Sequence, residues 1–78
     1  MNDNDNDAAK QILIKQVEFY FSRRIKVHVR TLKNRFYNGL ISEHDSEHIV
    51  VKDKILGEVF ITFQEIFKLE PFVEGGKY

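Results

Sequence analysis

The sequence predicts a mostly-β domain: one N-terminal α-helix, then five short antiparallel strands bent into a small barrel. Three observations carry this. Apolar residues recur at helical spacing only in the first third of the chain; from Ile25 the spacing changes to two; and turn residues then cut the alternation into five short runs ending near Pro71.

Each element has its own justification. Residues 1–6, MNDNDN, hold no apolar residue after the first Met and read as a disordered tail. Asp7 can cap a helix over about 7–21, because its carboxylate suits orphan backbone donors and the positive end of the helix dipole. Within it, Ile12 or Leu13, Gln16 or Val17, and Tyr20 form one stripe that can lie on the barrel. The segment VEFYF is rich in strand formers and argues for an early helix end. In the first strand Ile25, Val27, Val29 and Thr31 share one side, and Lys26, His28 and Arg30 the other. Lys33-Asn34 turns the chain, after which Tyr37, Gly39 and Ile41 face one way and Phe36, Asn38 and Leu40 the other. Gly39 permits the close backbone approach that a sharply bent strand needs. The remaining strands read as about His48 to Lys52, Glu58 to Phe63 and Ile66 to Pro71, with a tight turn at Gln64-Glu65. The barrel thus covers about 25–71, the domain 7–72, and 73–78 reads as a flexible tail.

Five strands after a helix make a partly open, SH3-like barrel with two unpaired edges. A chain of 78 residues removes only about 60% of its unfolded surface from water on folding. It has no Cys, so no disulfide or thiolate metal site supplements the core. Self-association through the edges is the expected supplement. No apolar run approaches the roughly 20 residues of a membrane span, and the expected location is the cytoplasm. The formal net charge of +0 conceals an asymmetry. Arg23, Arg24, Lys26, Arg30, Lys33 and Arg35 occur between residues 22 and 38 with no acid among them, a local basic surface suited to phosphates.

Two segments resemble the Sm-like family. KVHVRTLKNRFYNGLISEHDSEHIVV is similar to its first motif and VFITFQEIFKL to its second, with Val27, Val29, Tyr37, Gly39, Ile41, Asp45, Val59, Ile61 and Ile66 at the matching positions. From Gly39 the spacing resembles the Hfq branch, with Asp45 at the loop aspartate. The resemblance implies a homo-oligomeric ring of six or seven subunits, in which the fourth strand of one copy pairs with the fifth of the next, and RNA as partner. It places Val59, Phe60, Ile61, Ile66, Phe67 and Leu69 at the subunit interface. The base-holding Arg-Gly of the second motif is absent, since the chain reads Ile61-Thr62-Phe63-Gln64-Glu65-Ile66. The Tyr-Lys-His of Hfq is absent there too.

The chemistry left for RNA is electrostatics and stacking. Lys26, Arg30, Lys33 and Arg35 are candidates for phosphates; His44, His48 and Phe63 are candidates for bases, although a Phe in the pattern around Phe63 reads also as core or interface. The expected activity is that of an RNA chaperone or scaffold, with no cofactor; the competing class is an interaction barrel that has lost the RNA site. His44-Asp45-Ser46-Glu47-His48 matches a zinc-binding His-x-x-Glu-His pattern, but that pattern needs a helix and here falls at a strand-turn-strand junction, so no metal is expected. No Ser/His/Asp, Cys/His or Gly-rich phosphate-loop arrangement points to an enzyme.

Overall fold

The computed structural model describes residues 3–73, with side chains from Ala8 onward. Helix α1 spans Asp3–Ser22, followed by strands β1 (Val27–Thr31), β2 (Phe36–His44), β3 (His48–Asp53), β4 (Gly57–Thr62) and β5 (Ile66–Pro71), with a 3-10 turn at Phe63–Glu65. The five strands form one antiparallel sheet in the order β4-β3-β2-β1-β5. The expected bounds shift in two places. The helix starts at Asp3, so residues 3–6 belong to it rather than to a tail, and Asp7 lies inside it rather than at its cap. At the other end the VEFYF segment stays helical to Ser22, because Val17 is fully buried against the barrel and Leu13, Ile14 and Tyr20 pack beside it. Tertiary burial outweighs the strand propensity of those residues. The expected tail at 73–78 lies outside the described residues beyond Val73.

Alternation sets the faces of the sheet. Val27 and Val29 from β1, Ile41 from β2, Ile49 and Val51 from β3, Ile61 from β4 and Leu69 from β5 meet in one core. Each such side chain contributes about 1.5–3 kcal/mol when fully removed from water. Two irregularities bend the sheet. Pairing shifts between Ile41 and Glu43 in β2, and between Arg30 and Thr31 opposite β5. Extra residues of this kind kink a strand and increase its twist. Gly39 meets the requirement read from the sequence: a Cβ there would collide with the Lys52 carbonyl oxygen, so only glycine lets β2 approach β3 so closely. The β1–β2 turn is closed by Asn34 N–H to Thr31 O and Thr31 N–H to Arg35 O, with Asn34 at φ 65°. Asn tolerates that left-handed conformation better than most residues.

Candidate nucleic-acid interface

The outer face of β1, β2 and β5 gathers rings around Arg30, whose register partner on β5 is the exposed Lys68. His28 and Arg30 point away from the core on β1, opposite Asn38 and Phe36 of β2. The Arg30 guanidinium carbon lies 5.6 Å from the Phe36 ring centroid and 5.2 Å from that of Phe67. The His28 ring stacks on Phe36 at 5.5 Å, and its Nδ1 is hydrogen-bonded to Asn38 Oδ1. Arg30 Nε also donates to Asn34 Oδ1 at 3.1 Å, so the turn residue fixes the guanidinium. A planar cation between two aromatic rings is a stacking platform with a phosphate-binding edge.

The other sequence-derived candidates do not join Arg30 in one cluster. Lys33 and Arg35 sit on the β1–β2 turn and line a cavity of about 470 Å³ together with Tyr37, Phe60, Gln64 and Glu65. Lys26 lies toward the opposite end of the strands, where it lines a second cavity. His44 packs edge-to-face against Phe21 of the helix at 4.7 Å. His48 stacks on Phe60 at 4.1 Å, with Nδ1 2.9 Å from Asp45 Oδ1. Both histidines are half-buried and engaged within the fold. Phe63 is a correction: it is buried in the core cluster at 7% exposure and presents no ring to a base. Its position continues the alternation that turns Ile61 inward, and the 3-10 turn begins there, with Thr62 N–H donating to Glu65 Oε1 at 2.8 Å. Among the described residues no three of His, Cys, Asp and Glu converge as metal ligands.

The edge positions also divide. β4 pairs with β3 and β5 with β1, leaving β4 and β5 as the two edges of the sheet. Phe60 and Phe67 are about 60% exposed, Val59 and Ile66 half-buried. Ile61 and Leu69, expected at an interface, have core side chains, because the alternation that turns Phe60 outward turns Ile61 inward. Only their backbone is left for pairing with another copy.

Sequence reasoning missed Phe36, Phe67 and His28 as partners of Arg30. The alternation of β2 already put Phe36 on the outer face. Phe67 had no such signal, because its exposure depends on the pairing shift between Arg30 and Thr31.

The architecture matches a solved structure, the 1.55 Å crystal structure of the pleiotropic translational regulator Hfq, with a TM-score of 0.67 over 74% of this chain and 95% of that one. The fold is Sm-like, of the Hfq type. Sequence identity to that Hfq is 21%, so the likeness lies in the architecture, an N-terminal helix on a five-stranded antiparallel sheet. No family model and no curated protein matches the chain. No helix among the described residues is long and apolar enough to cross a membrane.

Proposed function

We propose that this chain is a non-enzymatic, cytoplasmic RNA-binding protein that works as a homo-oligomeric ring, as a chaperone or scaffold for RNA. The observation that carries the reading is Arg30 held between Phe36 and Phe67 beside the His28 ring. Stacked rings accept any base, and the guanidinium supplies charge for the adjoining phosphate. Lys33 and Arg35, on the β1–β2 turn, supply positive charge on a second surface, beside the cavity they line. With no base-pocket Arg in the second motif, phosphate contacts lead and selectivity for uridine is weak. The edges β4 and β5, with exposed Phe60 and Phe67, support pairing between copies into a ring of six or seven by resemblance.

One observation favours the second reading, an interaction barrel without RNA: Phe63, the expected base platform, is buried. Fluorescence anisotropy with oligo-U, oligo-A and an unrelated RNA across a salt series separates the two. Under the RNA reading affinity falls steeply with salt, and Arg30→Ala with Arg35→Ala lowers the slope by about one unit for each phosphate no longer neutralised. Absence of binding even at low salt leaves the interaction barrel. A protein that stays monomeric in light scattering at concentrations where the edges should pair would sink the ring.

A further inference from the structure

Helix α1 turns one face to the barrel and leaves the other uncovered. Leu13, Ile14, Val17 and Tyr20 pack on the core, whereas Ile12 is 63% and Phe19 48% exposed. Ala8, Ile12, Lys15 and Phe19 follow one another along the uncovered face at steps of four, three and four residues, and a further step of three leads back to position 5. Alternating steps of this kind are the spacing of a seam between two helices. The ends of the helix carry opposite charge. Asp3, Asp5 and Asp7 fall in its first turns, where the sequence holds no cation. Arg23 and Arg24 close the other end, with Arg23 N–H donating to Phe19 O and Arg24 N–H to Phe21 O, each at 3.2 Å. The Arg23 guanidinium carbon lies 4.6 Å from the Phe19 ring centroid, so the basic end adjoins the exposed ring. Between the ends, exposed Lys15 and Glu18 offset each other, and Lys10 is engaged by Glu47.

We infer that the uncovered face of α1 is an interaction surface for a second copy of this chain, paired helix to helix and antiparallel about a two-fold axis. A helix with an acidic start and a basic end complements itself only when its copy runs the other way, since the parallel arrangement sets Asp against Asp and Arg against Arg. Antiparallel helices also place each macrodipole end beside its opposite. In that arrangement Phe19 of each copy lies over the small Ala8 of the other, Ile12 meets the stem of Lys15, and Arg23 and Arg24 reach the acidic first turns twice, once at each end of the isologous contact. A polyanion would meet repulsion at the acidic end, and a neutral apolar partner would leave both charged ends unused. The pairing uses neither the β4 nor the β5 edge and does not involve Arg30, so it rests on neither the ring nor the RNA reading.

Sedimentation velocity of the full chain at low salt, over a concentration series, reads the pairing as a doubling in mass of whatever species the sheet edges produce, monomer or ring. The wild type should double. Arg23→Glu with Arg24→Glu should lower the association constant at least about tenfold, and so should Asp3→Lys with Asp5→Lys and Asp7→Lys, with circular dichroism checking that each keeps its fold. Mixing the two variants should restore doubling, because each supplies the charge the other has lost; adding Ile12→Ser and Phe19→Ser to both should abolish it again. The chain has no Cys, so Ala8→Cys and Ser22→Cys chains report direction: on mild oxidation of the mixture they should cross-link to each other. Ala8→Cys linking mainly to itself overturns the antiparallel pairing. Failure of the wild type to double overturns the inference, and sedimentation with anionic vesicles or RNA through Arg23 and Arg24 instead would assign the face to that occupant. Doubling that persists in either charge-reversed variant alone, fails in their mixture, or survives there without Ile12 and Phe19 overturns it as well.

Discussion

The β2–β3 and β3–β4 connections use the same backbone device and present opposite chemistry. In the first, Asp45 Oδ1 accepts the N–H groups of Glu47 at 2.7 Å and His48 at 2.9 Å. In the second, Asp53 accepts those of Ile55 and Leu56, and also reaches across to Asn38 of β2. A short carboxylate that caps successive backbone donors fixes a turn whatever residues follow it. What the turn displays is set separately. After Asp45 come Ser46 and Glu47, with Glu47 tied to Lys10 of the helix at 2.7 Å; after Asp53 come Lys54, Ile55 and Leu56, which reach into water. Both turns are exposed; the first is tied to the helix through Glu47, and the second presents apolar side chains to water.

The widest separation between the two turns is expected at Gly39, which pairs with Asp53 and has no counterpart beside Asp45. Gly39→Val forces a side chain into the Lys52 carbonyl, and should cost about 3 kcal/mol or more, read as loss of the cooperative urea transition. A transition at the wild-type midpoint would show that β2 and β3 can part there without cost. Next in size, Asp53→Ala removes acceptors for three backbone donors and should cost about 1–2 kcal/mol in urea melts. Asp45→Ala, with two such donors, should lower the midpoint less. Equal shifts would mean that the cross-strand bond to Asn38 contributes nothing.

Acid should affect both turns in the same direction. The Glu47 N–H, with that of His48 and the His48 ring, holds Asp45 below the ordinary carboxylate value of 3.8. The N–H groups of Leu56, Asn38 and Ile55 do the same for Asp53. A depressed folded value means stability that is present above pH 3.8 and lost as pH falls through the lower folded values. The urea midpoint should therefore decline on acidification below that point, and the Asp45→Ala, Asp53→Ala double variant should show a flatter acid limb. An unchanged limb in the double variant would assign acid sensitivity to other carboxylates. The smallest effect is expected from Lys10→Ala, which removes an exposed ion pair from the first turn and should shift stability by about 0.5 kcal/mol or less, diminishing with added salt. A larger shift would mean that the helix is docked through Glu47 rather than through Val17.

The fold was legible because its signals are local. The change from helical to alternating spacing at Ile25 fixes which residues of β1 and β2 face inward, and Val27, Val29, Gly39 and Ile41 are buried as that spacing requires. The candidate site was legible only in part. Arg30, Lys33 and Arg35 were visible as a run of cations without acids, yet their distribution between two surfaces was not. Neither was the engagement of His44 by Phe21 or of His48 by Phe60, since both contacts join segments far apart in the chain or across a strand pair.

By itself the sequence determined the order of helix and strands, the inward faces and the glycine at the β2–β3 approach, because each depends on period, turn chemistry or a missing Cβ within a few residues. The tertiary structure alone decided that Phe67 stands outside beside Arg30. A one-residue shift opposite β1, between Arg30 and Thr31, sets its outward position. An alternating pattern carries no record of where its register slips, and one residue of slip moves a side chain from one face of a sheet to the other.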